Sequence, residues 1–454
     1  MRKTDKKQLP LMIASIDHPH AVELELISQI LNENSIINEM ALQDLTQDVD
    51  NPAAGANGMS AEQVVRATVI KQMEGYSYEE LAFHIIDSVC YRNFCHIGFA
   101  DKGFGKSALC RNIKAISAET WEAINNIFVA AAESKGIEKG RQTRIDCTVV
   151  SSNIHKPTDS SILFDCVRVI TRMLAQINDS LSDIDILFSD HTKRAKRRML
   201  EIMNAKNNKA RKKPYVDLLK VTEMTVSYAQ ATVSTLETMS SHLASLMMTA
   251  QIKADELKHV IELTQKVINQ TERRVLNGET VPASEKIVSI FEPHTDIIIK
   301  DRRETYYGHK ICLSGGASNL ITDCLIVDGN PADTDLTSKM LDRHDQIYGR
   351  YPLKVALDGG FASKNNLASA KGKGVKDVCF AKKCGLKEED MCRSHFVYKR
   401  LRNFRAGIES GISWLKRSFG LTRCTWKTHS SFKSYVWASI VSANLLTLVR
   451  KQMA

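Results

Sequence analysis

Three acidic residues stand where their side chains could converge on divalent metal ions. Asp146 lies in TRIDCTVV, whose β-branched residues predict a strand, and Asp358 ends the short apolar run KVALD, which predicts a buried strand. Glu409 lies in a segment that predicts a helix. Two-metal phosphoryl transfer needs acidic oxygens from separate parts of a chain around ions about 4 Å apart. The three residues therefore predict a site for this chemistry.

The predicted helix around Glu409 also carries basic residues. Arg402, Arg405, Glu409 and Lys416 recur at steps of three, four and seven residues, so they share one face of a helix. One interpretation is a metal ligand beside cations that bind phosphate. The alternative is a surface ladder of ion pairs, and the spacing alone leaves both open.

Several sequence blocks resemble those of bacterial insertion-sequence DDE transposases, in particular the ISNCY-type group. The blocks are RIDCTVVSSNIHKPTDSSIL around Asp146, YYGHK followed by VDGNPADTDL, ALDGGFAS around Asp358, and FRAGIESGISWLKRSFGLTR around Glu409. They occur in the family's order from about residue 60 to the C-terminus, with three residues between Arg405 and Glu409 and six between Glu409 and Lys416. The chain departs from related transposases where it has Arg402, since these often have a tyrosine there.

The resemblance implies an RNase H-like catalytic core in which Asp146, Asp358 and Glu409 hold two Mg²⁺ ions, with Mn²⁺ as a substitute. It implies an enzyme that binds double-stranded DNA at the terminal inverted repeats of its element, cleaves a strand at each end and joins the freed 3′ hydroxyl to target DNA. Arg405 and Lys416 would contact DNA phosphate, and we group Arg402 with them. A homodimer on paired ends is expected, without ATP and without a membrane.

The pattern of predicted elements indicates an α/β fold. Residues 141–277 contain no glycine, and Pro214 is the only proline between Pro157 and Pro282, so helix breakers are nearly absent there. Apolar residues at steps of three and four, from Val226 to Met247 through Leu243, are typical of a packed helix seam. We predict a mixed sheet flanked by helices and interrupted after its first strand by a helical insertion, and the resemblance implies that this sheet is RNase H-like.

Three domains follow from this pattern together with the resemblance. Residues 1–135 predict an all-α domain that binds DNA, residues 136–160 and 286–454 a split RNase H-like catalytic domain, and residues 161–285 a helical insertion domain with basic runs. In the first, two short helices in succession could be a helix-turn-helix reader of DNA, although helical hairpins are common in any α domain. The basic runs KRAKRR and KARKK are dense enough to neutralise several phosphates, but such runs are usually solvated faces or loop tips.

Further residues are candidates for contacts with DNA. Lys310, in a predicted strand beside the site, could meet a phosphate. The segment that directly follows the first strand is expected to line the cleft, where His155 and Asp159 could assist catalysis or grip a DNA end; local turn hydrogen bonding is an equal candidate for Asp159. The DNA-binding candidates outside the Glu409 helix are Lys106, Arg111, Lys193, Arg194, Arg197, Arg198, Arg211, Lys212 and Lys310, and the cleft-lining candidates are Asn153, His155, Thr158 and Asp159.

Composition narrows the functional class only weakly. The formal net charge of +10 favours a polyanionic partner without choosing among nucleic acid, lipid and solubility. No signal peptide is recognisable and no stretch approaches the roughly 20 apolar residues of a membrane span, so we expect a cytoplasmic protein. The resemblance implies a bacterial protein associated with the nucleoid. The 11 cysteines have no CxxC pair, which suits reduced thiols.

Three alternatives remain open. Cys379, Cys384, Cys392 and His395 have ligand types that suit zinc, but their spacing matches no common zinc module. ADKGFGKS fits a loose phosphate-binding loop, yet such a loop needs a preceding buried strand that the sequence does not predict. The chain could also be a catalytically inactive or regulatory DNA-binding protein derived from a transposase, which would not need Asp146, Asp358 and Glu409.

Overall fold

The computed structural model describes residues 4, 16–47, 49–51, 58–98, 100–181, 186–238, 244–300 and 304–453. The chain divides into two compact units. The first combines Met1–Ser151 with His309–Ala454, and the second is Ser152–Gly308. The second unit is therefore inserted between two parts of the first. The predicted division into three domains, with boundaries at residues 135, 160 and 286, stays a prediction.

The described amino-terminal part of the first unit is helical. It contains α1 (Pro19–Glu33), α2 (Ile36–Thr46), α3 (Ala61–Glu74), α4 (Tyr78–Asp87), α5 (Val89–Phe94), α6 (Lys106–Ala115) and α7 (Ala118–Ser134). Ser77 begins α4 through a reciprocal cap, because its hydroxyl accepts from the Glu80 amide at 3.2 Å while the Glu80 carboxylate accepts from the Ser77 amide at 2.8 Å. Gly75 ends α3 with φ at 69°, in the left-handed region that favours glycine. The prediction of a helical amino-terminal region is confirmed.

The last helix of the chain is a core helix. α16 (His429–Met453) packs against α1, α3 and α7. Its length and the mean hydropathy of 1.2 in its most apolar 18-residue window would suffice for a membrane span, so the expectation that no segment approaches one is wrong. However, 89% of its most apolar window is buried inside the protein, which is typical of a core helix.

A buried pair of asparagines connects these helices to the sheet. Asn444 of α16 donates to Asn125 of α7 at 2.7 Å and to the carbonyl of Ile321 at 2.8 Å, and its side-chain oxygen accepts from the Ile321 amide at 2.9 Å. Asn125 in turn donates to the carbonyl of Thr322 at 3.3 Å. Because buried amides that lose a partner cost about 1 to 3 kcal/mol, these bonds restrain the helices against the sheet edge. They are one reason why the helices and the sheet belong to one unit.

A lysine of α3 is buried at a cost in stability. The Lys71 side chain is 5% exposed and its ammonium lies 4.9 Å from the centre of the Tyr78 ring. Burial, aided by the nearby charge of Lys114, lowers the pKa of Lys71 to about 8. The ordinary pKa is about 10.4, so between about pH 8 and pH 10 the unfolded chain binds more protons than the folded chain. Stability due to this group therefore rises with pH across that window.

We expect the substitution Lys71→Met to raise the free energy of unfolding at pH 7 by about 1 to 3 kcal/mol, since it removes a buried charge and keeps the volume. Urea unfolding at pH 7 and at pH 10 measures this. The difference between wild type and variant should shrink at pH 10, where the folded wild type buries a neutral amine. A gain of equal size at both pH values would contradict the assignment of the cost to charge burial.

The sheet positions two of the three acidic residues. Its strands are β1 (Gln142–Ser151), β2 (Asp296–Lys300), β3 (Glu304–Gly315), β4 (Ile321–Ile326), β5 (Lys354–Leu357) and β6 (Asp377–Phe380). In the first unit the order is β4-β3-β1-β5-β6, where β1, β5 and β6 are parallel and β3 and β4 form an antiparallel hairpin. The predicted α/β class, with a mixed sheet and flanking helices, is confirmed and agrees with an RNase H-like core.

One long helix lies against this sheet. The helices that follow β4 are α12 (Thr337–Tyr348), α13 (Lys364–Gly372), α14 (Glu388–Met391) and α15 (His395–Ser418), and α15 packs against β1, β5 and β6. α15 begins at a cap in which the Ser394 hydroxyl accepts from the Val397 amide at 3.3 Å. Its buried residues, Tyr398, Leu401, Ile408 and Leu415, recur at steps of three and seven. This spacing fixes which face of α15 meets the sheet.

The second unit is mainly a helical bundle. It contains α8 (Asp159–Ser180), α9 (Thr192–Asn204), α10 (Asn208–Glu237) and α11 (Ala244–Thr271), and α11 continues into a π-helical turn at Glu272–Leu276. α8 packs against the other three helices, and α10 also packs against α9 and α11. β2 pairs antiparallel with residues 304–308 of β3.

The predicted seam from Val226 to Met247 is not one helix. α10 ends at Glu237 and α11 begins at Ala244, and Met247 is 46% exposed. Leu243 lies outside the described residues. The first four residues of the seam are buried in the bundle as predicted: Val226, Ala229, Val233 and Leu236. The spacing of three and four residues extends past the end of α10 only by chance.

Candidate active site

Asp146 and Asp358 lie side by side on adjacent parallel strands. The register of β1 and β5 pairs Ile145 with Leu357, so the next residues, Asp146 and Asp358, stand at the same level of the sheet. Asp146 lies within β1, whereas Asp358 follows the last residue of β5 and begins the turn Gly359–Phe361. A parallel pair buried in a sheet holds such side chains at a fixed separation. The sheet thus supplies two neighbouring carboxylates where β5 ends.

Arg405 contacts all three acidic residues. Its Nη1 lies 3.3 Å from Oδ1 of Asp358 and 3.9 Å from Oδ2 of Asp146, and its Nη2 donates to Oε1 of Glu409 at 2.8 Å. The Arg405 side chain is only 15% exposed, while those of Asp358 and Glu409 are 45% and 53% exposed. The cluster is therefore open on one side and neutralised by one guanidinium on the other. We name Asp146, Asp358, Glu409 and Arg405 the carboxylate cluster.

The geometry separates the two interpretations of the Glu409 helix. Arg405 and Glu409 are four residues apart on α15 and form the ion pair that a surface ladder would have. However, Arg405 also reaches Asp146 and Asp358 in the sheet, which a ladder along one helix does not explain. Arg402 is exposed and Lys416 is half-buried on the same helix. The arrangement favours a site between sheet and helix.

Lys310 lies near the carboxylate cluster but is held by other groups. Its ammonium donates to Oδ1 of Asp333 at 2.9 Å and to the carbonyl of Pro331 at 2.7 Å, and its side chain is 12% exposed. A Cβ on Gly360 would lie 2.9 Å from Oδ2 of Asp333, so Asp333 adjoins the turn that follows Asp358. The contact of Lys310 with phosphate stays a prediction. Asp333 was not singled out from the sequence, because nothing there indicates its approach to Gly360.

The amino-terminal candidates lie on α6. Lys106 forms an ion pair of 2.7 Å with Glu79 of α4, and both side chains are exposed. Arg111 is exposed, and α6 packs against α3 and α4. The two helices predicted to form a helix-turn-helix are α4 and α6, and the short helix α5 lies between them, so they do not follow one another directly. A role of Lys106 and Arg111 in DNA binding stays a prediction.

The basic runs of the second unit are helical and differ in their pairing. KRAKRR lies in α9 and KARKK in the first turns of α10, so neither is a loop tip. Arg194 and Arg198 both bind Asp217, and Arg198 also binds Glu201 at 2.6 Å. The bond from Arg194, aided by that from Arg198, lowers the pKa of Asp217 to about 2. By contrast, the exposed side chains without an ion-pair partner among the described residues include Lys193, Arg197 and Lys212. Arg211 contacts only Asn208 and the carbonyl of Ala205, each at 3.4 Å.

The segment after β1 belongs to the second unit. Thr158 begins α8, where its hydroxyl accepts from the Ser161 amide at 3.1 Å. Both oxygens of Asp159 accept from Arg274 at 2.9 Å, and Nε2 of His155 lies 3.2 Å from Asp165. Asp159 therefore has a partner well beyond its own turn. Asn153 is half-buried, and the expected role of these residues in a cleft stays a prediction.

The zinc and phosphate-loop alternatives gain no support. Among the described residues, Cys379, Cys384, Cys392 and His395 do not converge into a group that could hold a metal ion. His395 pairs with Glu388 at 2.7 Å, and the Cys384 thiol lies near the carbonyl of Gly359. The segment before ADKGFGKS contains the helix α5 where a phosphate-binding loop needs a strand.

The carboxylate cluster suits a hard divalent cation. Its donor set consists of carboxylate oxygens alone, which Mg²⁺ prefers. Since one nitrogen of Arg405 contacts both aspartates, their oxygens are near neighbours. That Nη1 makes no hydrogen bond among the residues that the structure describes, although it is buried beside two carboxylates. The Arg405 guanidinium thus lies where a cation is attracted by the carboxylates, but its Nη1 does not hydrogen-bond to them. The residues therefore fit a metal site.

Comparisons with known proteins identify the family. A family model described as a transposase DDE domain matches residues 292–445, which include Asp358 and Glu409. A second, described as a transposase domain (DUF772), matches residues 13–115, which include α1 to α6. Neither a curated protein nor a solved structure matches the chain. The finer assignment to the ISNCY-type group stays a prediction. The chain belongs to the DDE transposases of insertion sequences.

Proposed function

We propose that this transposase cleaves DNA strands at the terminal inverted repeats of its element and joins the freed 3′ hydroxyl to target DNA, with Asp146, Asp358 and Glu409 as the catalytic carboxylates. The observation that carries the proposal is the meeting of these three side chains, from two strands and a helix, around Arg405. Transposases of this family use divalent metal ions and act on DNA. We propose two Mg²⁺ ions, for which Mn²⁺ can substitute.

The residues of the cluster have distinct tasks in this proposal. Asp146 and Asp358, held by β1 and β5, and Glu409 on α15 would be the metal ligands. Bound Mg²⁺ supplies Lewis acidity at the attacking and leaving oxygens of a phosphodiester. Arg405 keeps the carboxylates together before DNA arrives and then has a phosphate within its reach. Arg402 and Lys416 extend the positive charge along α15 for the DNA backbone.

Transposition requires more than one copy of the active site. Two element ends must be held together before transfer, so we propose a homodimer on paired ends that acts in the bacterial cytoplasm at the nucleoid. No nucleotide hydrolysis is needed, since the attacking hydroxyl replaces one phosphodiester by another. We propose that Lys106 and Arg111 bind the repeats, while Lys310 and the segment with Asn153, His155, Thr158 and Asp159 assist near the reacting strand.

The proposed function is tested with the full chain and a linear duplex that carries the inverted repeats flanking its coding region. With Mg²⁺ we expect nicks at the repeat ends and joined products in which a 3′ end is linked to target DNA, and with EDTA we expect neither. Sequencing of the product ends measures this. Tight binding of the repeats without any cut in Mg²⁺ or Mn²⁺ would favour the alternative of a regulatory DNA-binding protein and overturn the enzyme.

For the second unit we propose that the unpaired basic side chains of α9 and α10 bind DNA phosphates, and that Arg194, Arg198 and Arg211 contribute less because they have partners. Lys193 and Arg197 are four residues apart on α9 and share a face. We expect Lys193→Ala with Arg197→Ala to weaken duplex binding about tenfold at physiological salt and to make the slope of log affinity against log salt shallower by about 2.

A second double variant controls for net charge. Lys258 and Lys266 of α11 are exposed but paired, with Glu237 and Glu262, each at 2.6 Å. Lys258→Ala with Lys266→Ala removes the same charge, and we expect it to leave the salt slope within experimental error. Equal losses in the two double variants, measured by fluorescence anisotropy at several salt concentrations, would contradict a specific α9 surface.

A further inference from the structure

A cavity in the first unit is lined by three basic residues that form no ion pair within the described part of the chain. It has a volume of about 280 Å³ and lies where β1, β5 and the first half of α15 meet. Arg144, Lys354 and Arg400 line it together with Phe396, Leu401 and Phe404. Among the described residues, no carboxylate lies within ion-pairing distance of the three cations. We call this cavity the Arg144 pocket.

Arg144 is the least expected of these residues. It is 5% exposed, its guanidinium lies 4.7 Å from the centre of the Phe404 ring, and it donates to the carbonyl of Phe404 at 3.0 Å and to Asn319 at 2.6 Å. Its Nε is buried and has no hydrogen-bond partner in the described part of the chain. The charge of Glu138 attracts the guanidinium, but the two form no ion pair in the described part of the chain. A buried charge without a close ion pair is costly. Arg144 therefore keeps one donor without a partner and a charge that no ion pair balances.

The fold makes room for this arginine at a specific point. A Cβ on Gly407 would lie 1.7 Å from Nη1 of Arg144, so a larger residue at position 407 would require the guanidinium to move from its present place. Burial lowers the pKa of Arg144, but an arginine stays charged in proteins. The positive charge in the pocket is thus permanent, and the sequence provides the space that it occupies.

The pocket adjoins the carboxylate cluster. Arg144 and Asp146 are two residues apart in β1, so their side chains point to the same face of the sheet at a separation of about 7 Å. Phe404 directly precedes Arg405 on α15. Residues 354–402, which include much of the rim, contain 12 Lys and Arg against 5 Asp and Glu. A DNA strand with one phosphate at the carboxylate cluster can therefore place a neighbouring nucleotide at the Arg144 pocket.

The apolar side of the pocket indicates which anion fits. Phe396 is 72% exposed and lies four residues before Arg400, on the same face of α15. An aromatic ring beside cations that track a backbone is the usual arrangement for stacking an unpaired base while its phosphate is neutralised. An acidic peptide would use the cations but leave the exposed ring unused.

We propose that the Arg144 pocket binds a nucleotide of an unpaired DNA strand next to the reacting phosphate, with its phosphate on Arg144, Lys354 and Arg400 and its base against Phe396. This inference rests on the proposed function, since it assigns a subsite for the same substrate. It explains why the pocket combines a buried guanidinium that has no ion pair among the described residues with an exposed aromatic ring.

The test uses the full chain, EDTA, and a fluorescein-labelled single strand of about 12 nucleotides. We expect Arg400→Ala and Phe396→Ala each to weaken binding about tenfold, and Arg400→Ala also to make the salt slope shallower by about 0.7. Lys399→Ala is the matched control, because Lys399 is exposed and adjacent but does not line the pocket. All three side chains are exposed, so their loss leaves the fold intact.

A strand with abasic sites separates the two contacts. With it, Phe396→Ala should bind like wild type while Arg400→Ala remains about tenfold weaker. If Phe396→Ala and Arg400→Ala bind the intact strand as tightly as Lys399→Ala does, or if poly-glutamate competes as strongly as the oligonucleotide, the pocket is overturned. If wild type also cleaves repeat DNA, the transposase function stands without it. If the variants lose strand affinity as expected but wild type never cleaves, the pocket stands and the proposed function fails.

Discussion

Replacing any one of the three carboxylates, by Asp146→Asn, Asp358→Asn or Glu409→Gln, should lower the rate of strand cleavage about a thousandfold or more while DNA binding is retained. Each amide keeps the size of the side chain but removes the negative charge that a divalent cation requires. The loss corresponds to about 4 kcal/mol in the activation free energy. Cleavage of repeat DNA under single-turnover conditions, with binding measured by anisotropy in EDTA, gives both quantities.

The control for this experiment is an acid of the second unit that belongs to none of the proposed sites. Glu262 of α11 is exposed and paired with Lys266. Glu262→Gln makes the same chemical change and should cleave like wild type. Unchanged cleavage by even one of the three cluster variants would remove that residue from the catalytic set, and unchanged cleavage by all three would remove the proposed mechanism.

Arg405→Gln should lower the cleavage rate about a hundredfold and also change how the protein responds to Mg²⁺. Without the guanidinium, the three carboxylates lose the cation that contacts each of them. We expect the free energy of unfolding in EDTA to fall by about 1 to 2 kcal/mol, a modest value because two of the acids are half-exposed. The fall in rate follows from the loss of a cation aimed at the reacting phosphate.

Mg²⁺ should then stabilise the variant more than it stabilises wild type. In wild type Mg²⁺ must displace the Arg405 guanidinium from the carboxylates, whereas in the variant no guanidinium competes with it. Mg²⁺ should therefore bind the folded variant more tightly, and the same Mg²⁺ concentration should raise its free energy of unfolding by a larger amount. Urea unfolding with and without Mg²⁺ measures the difference. Arg402→Gln, an exposed position one turn earlier on α15, is the control and should respond like wild type. An equal response of Arg405→Gln and wild type would exclude competition between arginine and metal.

Much of the candidate site was predictable because its parts are local. Asp146 in a β-branched run and Asp358 after a short apolar run predicted acids on strands, and both predictions of local structure agree with β1 and β5. The spacing of Arg405 and Glu409 predicted a shared helix face, which their ion pair on α15 reflects. The resemblance added the order of the blocks, and the family matches confirm that family. The catalytic roles themselves stay predictions.

Other features were beyond the reach of sequence patterns. The basic runs looked uniform, yet Asp217 pairs with Arg194 and Arg198 and leaves Arg197 exposed. Such pairing joins residues about 20 positions apart and depends on how α9 packs against α10. The seam from Val226 to Met247 was wrong in its last turn because periodicity cannot detect the end of one helix and the start of the next. The sequence patterns did not predict that α16 is apolar enough for a membrane span. Its apolar character is explained by its burial among α1, α3 and α7, which only the structure shows.

By itself the sequence determined the kinds of element, the residues that cap them, the acids that end or interrupt strands, and the family. These follow from short-range chemistry: side-chain branching, apolar spacing and turn-forming residues. Only the tertiary structure decided that one guanidinium serves Asp146, Asp358 and Glu409 together, and that Arg144 is buried without an ion pair among the described residues. Both depend on how closely α15 approaches the sheet. That distance is set by the packing of α15 against β1, β5 and β6, and the contacts with β1 join residues more than 200 positions apart.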